Sequence, residues 1–131
     1  VRRAGDALNG VKKSLNGSRV LIVGLAYKAN VDDMRESPSF TLMDLLTHSG
    51  AQVSYFDRYI PVITPTREHA HWTGTRSVEW TQEVIASFDL VLISTAHCNV
   101  NYAELSTWSQ LILDTRNAMK SLSGGAPVLK A

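Results

Sequence analysis

Apolar residues along the chain form two kinds of pattern, continuous runs and runs with helical spacing. The continuous runs are flanked by turn-forming residues, which is typical of strands covered by helices on both faces. One further segment alternates apolar and polar residues, is rich in aromatic residues and ends at Asp57. Together these patterns predict strands over 19–24, 52–56, 89–94, 110–114 and, after a turn, 127–130.

Segments with helical spacing separate the predicted strands. Asn16 and Gly17 form a stop signal after the first of them, and Pro38 is suited to the first turn of another, with Ser37 as its cap. Thr81 is a cap for a third. The pattern predicts helices over 1–15, from 38 to the residues before Ser49, 81–88 and 102–108. The segment 58–77 is rich in Pro, Gly and Thr and predicts a long surface connection rather than core.

The alternation of strands and helices predicts the fold class. A chain of 131 residues suits one domain. Strand, helix, strand units with apolar strands indicate an α/β fold, here a Rossmann-like three-layer domain with a mainly parallel sheet flanked by helices. We expect its crossover connections to be right-handed.

Composition and charge exclude several classes of function. A formal net charge of +1 argues against nucleic acid as a partner, because non-specific binding needs a broad cationic surface. A single cysteine, Cys98, excludes an internal disulfide framework and a multi-cysteine zinc site, and fits a reducing, cytoplasmic setting. No apolar run approaches the roughly 20 residues of a membrane span, and no signal peptide is visible. The first residue is not Met. We therefore expect a fragment of a longer protein, with removal of an initial Met by processing as the alternative.

The candidate site lies where the predicted strands end. In open parallel sheets ligands bind beyond the carboxyl ends of the strands, which selects 24–37, Asp57, 94–101 and 114–117. Lys28 and Arg35 lie on the loop before a predicted helix N-terminus, where an anionic phosphate would meet two cations and free amides. The alternative is a solvated network of these cations with the nearby acidic residues Asp32, Asp33 and Glu36. The loop lacks the glycines of a dinucleotide fingerprint.

The remaining candidate residues each allow a functional and a structural interpretation. The guanidinium of Arg116 could grip a phosphate or ribose, or form a salt bridge with Asp114. His97 and Cys98 suggest a nucleophilic pair, but neighbours on an extended chain point apart and no third partner is visible, so catalysis by Cys98 is not expected. His69 and His71 lack a third metal ligand, so no metal site is predicted. The three tryptophans, residues 72, 80 and 108, are expected to cover core edges or to mark a partner interface.

Three blocks of sequence resemble a known family. They are Gly24-Leu25-Ala26-Tyr27-Lys28, Asp32-Asp33-Met34-Arg35-Glu36-Ser37-Pro38 and Asp114-Thr115-Arg116-Asn117. In this order and spacing they resemble the C-terminal domain of the UDP-glucose/GDP-mannose dehydrogenase family, over about residues 15–119. The acidic block and residues 66–69 are most similar to the bacterial branch that oxidises UDP-N-acetyl-hexosamines.

The resemblance implies an activity and roles for four residues. Family enzymes oxidise the sugar C6 alcohol to a carboxylate in two NAD-dependent steps, through a thioester on a catalytic cysteine. Tyr27 and Lys28 would contact the nucleotide sugar, Arg116 would hold its UDP part, and Arg35 would reach the NAD pyrophosphate. The expected substrate is UDP-N-acetylglucosamine, UDP-N-acetylmannosamine or UDP-glucose, and the expected pathway is cytoplasmic synthesis of polysaccharide precursors.

The resemblance also implies what this chain lacks. The family's catalytic cysteine and its N-terminal dinucleotide fingerprint belong to upstream domains, and Cys98 does not align with that cysteine. Residues 1–15 would end the helix that links a missing central domain to the nucleotide-sugar-binding domain over 16–131. We expect the chain alone to be inactive and the full-length enzyme to be a homodimer or larger. The alternative is a non-catalytic nucleotide-binding or interaction module of the same fold.

Overall fold

The fold is that of a computed structural model, which describes residues 2–10, 13–26, 38–65, 70–116, 118–119 and 128–130. Within these residues strands and helices alternate along the chain. The helices are α1 Arg2–Gly10, α2 Pro38–His48, α3 Gln82–Ala86 and α4 Tyr102–Trp108. The strands are β1 Arg19–Val23, β2 Gln52–Phe56, β3 Leu90–Ile93, β4 Ile112–Asp114 and β5 Val128–Lys130. A single turn of 3-10 helix occupies Ala70–Trp72.

The five described strands form one parallel sheet in the order β2-β1-β3-β4-β5. In the register, Val23 pairs with Phe56 on one side and with Ile93 on the other. Three neighbouring strands therefore end at the same level. Their following loops start at one edge of the sheet, which we call the carboxyl edge.

Helices cover both faces of this sheet, as the alternation of side chains along its strands requires. Val20 and Ile22 of β1 belong to a cluster with residues of α1 and α2. Leu21 and Val23 of the same strand point to the opposite face, in a cluster with residues of α3 and α4. The Rossmann-like three-layer α/β architecture is thus confirmed, with every described strand parallel.

Polar side chains cap the N-termini of two of the four described helices. The Thr81 hydroxyl accepts a hydrogen bond from Val84 N at 3.2 Å and begins α3. The Asn101 side chain does the same for Glu104 N at 3.0 Å and begins α4. Both caps satisfy amide groups that have no partner within the helix.

Most predicted elements differ from the structure by no more than two residues at an end, but two segments differ further. The first helix was predicted over 1–15, but its described part is Arg2–Gly10 and the described residues Lys13 and Ser14 are not helical; Lys13 N donates to Leu8 O at 2.8 Å. The segment 58–77 is not purely a surface connection, because Ile60 and Ile63 are buried in the core. Their apolar side chains are single residues without period, so the pattern gave no sign of their burial.

Candidate functional site at the carboxyl edge

Asp57 is the centre of the carboxyl edge. It follows β2 directly and is buried, with 1% of its surface exposed. Its Oδ2 atom accepts hydrogen bonds from Leu25 N at 2.7 Å and Ala26 N at 3.0 Å, both in the loop after β1. Its Oδ1 atom accepts one from Tyr59 N at 2.8 Å. One carboxylate therefore fixes the backbone of two loops.

His97 completes the coordination of this carboxylate. Its Nε2 atom lies 2.8 Å from Asp57 Oδ2, and its side chain is fully buried. The Tyr59 ring meets the imidazole edge to face, with 4.7 Å between ring centroids. The Tyr102 hydroxyl donates to the His97 carbonyl at 2.8 Å. Because His97 belongs to the loop after β3, the pair joins the loops of two strands across the end of β1, which lies between them.

The surroundings of Asp57 keep its carboxylate ionised. Burial by itself raises the pKa of Asp57, but the hydrogen bonds from His97, Leu25 and Ala26 favour the charged form, and the net effect is a pKa below the ordinary value. An ionised carboxylate only accepts hydrogen bonds, so His97 Nε2 is the donor to it.

The loops after β1 and β3 also contact each other directly. The Thr95 hydroxyl donates to Ala26 O at 2.8 Å, and Ser94 Oγ lies 2.5 Å from Ser39 Oγ at the start of α2. Gly24 has a φ of 89°, and a Cβ on it would lie 2.7 Å from Thr95 Cβ. Only glycine allows this close approach.

Arg116 lies at the other side of the loop after β3. Its side chain is exposed, and its Nε atom donates to Ser94 O at 2.8 Å. Its backbone N donates to Asp114 Oδ1 at 2.9 Å, and Met119 N donates to Asp114 Oδ2 at 2.9 Å. Among the described residues the guanidinium has no carboxylate partner, so the predicted alternative of a salt bridge with Asp114 is wrong: Asp114 binds backbone amides instead.

The predicted site residues divide into two groups. Tyr27, Lys28 and Arg35 lie outside the described residues, as does His69. Arg116 is described and lies at the predicted edge. His97 and Cys98 point apart as predicted, since His97 is buried and Cys98 is exposed.

Two residues with weaker sequence signals have defined partners. His71, which the sequence marked only as a possible metal ligand, pairs with Asp44 of α2 at 2.5 Å. The Trp72 indole N–H donates to the same Asp44 at 2.7 Å.

All three tryptophans are partly buried against the core clusters, as predicted for core edges. No group of three potential metal ligands occurs in the described ranges.

The Asp57–His97 pair is what sequence reasoning missed. Both residues lie in stretches that the strand-end rule selects, so their positions carried a signal. Their pairing did not, because they are 40 residues apart and meet only through the sheet order.

The fold and this edge define a class of protein. A parallel α/β sheet with polar loops converging at its carboxyl edge is typical of nucleotide-binding domains. None of the helices within the described ranges is long and apolar enough to cross a membrane.

Comparison with known proteins identifies the family. Residues 21–121 match the UDP-glucose/GDP-mannose dehydrogenase family, UDP binding domain. The chain therefore belongs to this family, and it corresponds to the family's UDP-binding C-terminal domain.

Individual relatives agree with this assignment. The chain is 29% identical over 122 residues to the UDP-glucose 6-dehydrogenase YwqF of Bacillus subtilis, covering 89% of this chain and 26% of that protein. It is 27% identical over 106 residues to the UDP-N-acetyl-D-mannosamine dehydrogenase of Pyrococcus horikoshii, covering 77% and 22%. The chain thus spans about a quarter of the length of these curated relatives.

Solved structures give the same fold. The native UDP-N-acetyl-mannosamine dehydrogenase Cap5O of Staphylococcus aureus superposes with a TM-score of 0.67 at 25% identity, over 98% of this chain and 30% of that one. The Pyrococcus horikoshii UDP-D-ManNAc dehydrogenase superposes with a TM-score of 0.73 at 22% identity, over 95% and 28%. The second likeness concerns the fold alone.

Proposed function

We propose that this chain is the part of an NAD-dependent nucleotide-sugar 6-dehydrogenase that grips the UDP moiety of the substrate. The whole enzyme would oxidise the sugar C6 alcohol to a carboxylate, acting on a UDP-N-acetyl-hexosamine or on UDP-glucose. The relatives named for UDP-glucose and for UDP-N-acetyl-D-mannosamine support this range of substrates. A cytoplasmic role in making polysaccharide precursors, and a homodimer or larger assembly, belong to the same proposal.

The observation that carries the proposal is the placement of Arg116. Its guanidinium is exposed at the carboxyl edge, oriented by the bond to Ser94 O and not neutralised by a carboxylate among the described residues. A planar guanidinium in this state can bind a diphosphate through two parallel hydrogen bonds. Lys28 and Tyr27, which follow the Asp57-anchored loop in sequence, would supply the remaining contacts to the nucleotide sugar.

The described residues do not form a dinucleotide site of their own. Gly24, directly after β1, packs closely against Thr95, so the space over this glycine holds protein. Leu25 N and Ala26 N are already bonded to Asp57. Of this chain's residues only Arg35 is proposed to reach the cofactor. The thioester chemistry would belong to upstream domains, and this chain alone would form no NADH from NAD and a UDP-sugar.

Calorimetric titration with UDP, UDP-N-acetylglucosamine and NAD tests the proposal. We expect UDP and the UDP-sugar to bind, and Arg116→Ala to weaken UDP binding about tenfold or more, because a hydrogen bond to a charged group contributes about 1.5–3 kcal/mol. The matched control is Arg19→Ala. Arg19 is also exposed and also donates to a backbone carbonyl, Ser87 O at 3.3 Å, but it lies at the opposite edge of the sheet.

The control separates site binding from net charge. Equal weakening by Arg116→Ala and Arg19→Ala would show that only overall charge matters and would contradict the proposed grip. Absence of UDP binding by the unaltered chain would contradict a nucleotide grip carried by this chain. NADH formation by the chain alone would contradict the assignment of the chemistry to other domains.

A further inference from the structure

We infer that the buried Asp57–His97 pair is a positioning element that sets the orientation of Arg116 for its ligand. This inference rests on the proposed function, since it assigns Arg116 the role of phosphate contact. Neither Asp57 nor His97 would touch the nucleotide. They would act through the loop after β3, residues 94–97, which we call the bridging loop.

The Arg116 side chain is held by the bridging loop. The guanidinium bonds through Nε to the carbonyl of Ser94, the first residue of the bridging loop. Among the described residues its two terminal nitrogens have no hydrogen-bond partner. Its direction therefore depends on where the Ser94 carbonyl points, and a backbone carbonyl turns with its loop.

Hydrogen bonds at both ends fix the bridging loop. Ser94 N and Thr95 N both approach Val23 O, at 2.9 and 3.3 Å, and the Thr95 hydroxyl binds Ala26 O. At the far end the loop is anchored by His97 Nε2 on Asp57. The carboxylate is held in turn by backbone amides of the loop after β1, so His97 fastens the bridging loop to a fixed point.

This fixed point, Asp57, is an anion inside the protein, bonded to the backbone N–H groups of Leu25 and Ala26. In nucleotide-binding α/β loops such amides commonly face a phosphate. Here those two amides are occupied by Asp57 and are not open to a phosphate. A cation such as Arg116 therefore gains in importance, and it can bind a phosphate through two hydrogen bonds only when its orientation is fixed, which is the role assigned to the pair.

A pair of His97 variants tests the positioning role. His97→Leu keeps a similar volume but removes the donor to Asp57, whereas His97→Gln keeps a donor. UDP affinity is measured for each, alone and combined with Arg116→Ala. Arg116→Ala is expected to cost about tenfold or more in the unaltered protein, but less than about threefold in the His97→Leu background. In the His97→Gln background the cost should stay close to that in the unaltered protein.

A second readout does not depend on ligand. In ¹⁵N-edited NMR spectra, the rate at which the Arg116 Nε–H proton exchanges with water reports on the hydrogen bond between Nε and Ser94 O. We expect this rate to rise at least about tenfold in His97→Leu but not in His97→Gln. The control is Asp89→Asn, which alters a carboxylate at the opposite edge of the sheet that accepts Arg19 N at 2.8 Å and Lys13 Nζ at 2.9 Å. It should leave the rate unchanged.

The outcomes separate the possibilities. Additive effects of His97→Leu and Arg116→Ala on UDP affinity, or equal behaviour of the Leu and Gln variants, would overturn the positioning role. A rise in exchange with Asp89→Asn as large as with His97→Leu would overturn it too, because it would reflect general loosening. Failure of the unaltered protein to bind UDP would contradict the proposed function and, with it, the role of Arg116 as a phosphate contact. The exchange rates would then decide whether the Asp57–His97 pair holds the Arg116 side chain.

Discussion

Replacing Asp57 by Asn should destabilise the protein far more than its small change in shape suggests. The Asp57 carboxylate accepts four hydrogen bonds, three at Oδ2 and one at Oδ1. An amide has one acceptor oxygen, so if that oxygen keeps the three bonds, its NH₂ group must face Tyr59 N–H. That leaves a donor without an acceptor at a buried position.

The magnitude follows from these bonds. An unsatisfied buried donor costs about 1–3 kcal/mol, and each remaining bond loses about 1 kcal/mol when its acceptor is no longer charged. Allowing for partial relaxation of the surrounding loops, we expect Asp57→Asn to lower the free energy of unfolding by about 3 kcal/mol, of the roughly 5–15 kcal/mol typical of a domain. The melting temperature should fall by about 10 °C.

Urea unfolding followed by far-ultraviolet circular dichroism measures the loss. The control is Asp89→Asn, whose carboxylate is only partly buried, with 26% of its side chain exposed, and should cost about 1 kcal/mol. A loss for Asp57→Asn below about 0.5 kcal/mol at neutral pH, or no larger than that of the control, would refute the reasoning.

The pH dependence gives the same prediction a second check. The pKa of Asp57 is lowered in the folded protein, so its contribution to stability is fully present above the ordinary aspartate pKa of about 3.9 and is lost as the pH falls through the lower folded value. The difference in stability between the unaltered protein and Asp57→Asn should therefore be constant near neutral pH and shrink below about pH 4. A difference that grows as the pH falls would contradict this sign.

Two further predictions concern local structure. Gly24→Ala should lower the free energy of unfolding by about 3 kcal/mol or more, because it combines a positive φ with overlap of the new Cβ and Thr95. Gly17→Ala, with a φ of 84° and open space around it, should cost only about 1 kcal/mol, and equal losses in thermal unfolding would contradict the packing argument. Thr81→Ala should cost about 1 kcal/mol by removing the cap on Val84 N, while Thr81→Ser should restore most of it in the same assay; a Ser variant as unstable as the Ala variant would argue against the cap.

Much of the fold followed from local signals in the sequence. The strand over 52–56 and the helix over 102–108 have the predicted bounds, because strand patterning and side-chain caps are properties of neighbouring residues. The predicted end of the first helix at Leu15 was wrong, since Lys13 and Ser14 are already non-helical before the Asn16 and Gly17 turn.

The sequence by itself determined which residues stand at strand ends, and therefore that Asp57, His97 and Arg116 could share one edge of a parallel sheet. Only the tertiary structure decided which of them meet. The order of the strands places β1 between β2 and β3, so that Asp57 and His97 close over its end while Arg116 turns to Ser94 O. Strand order is set by packing among residues far apart in the chain, and hydrophobic periodicity, which reports only on neighbours, carries no information about it.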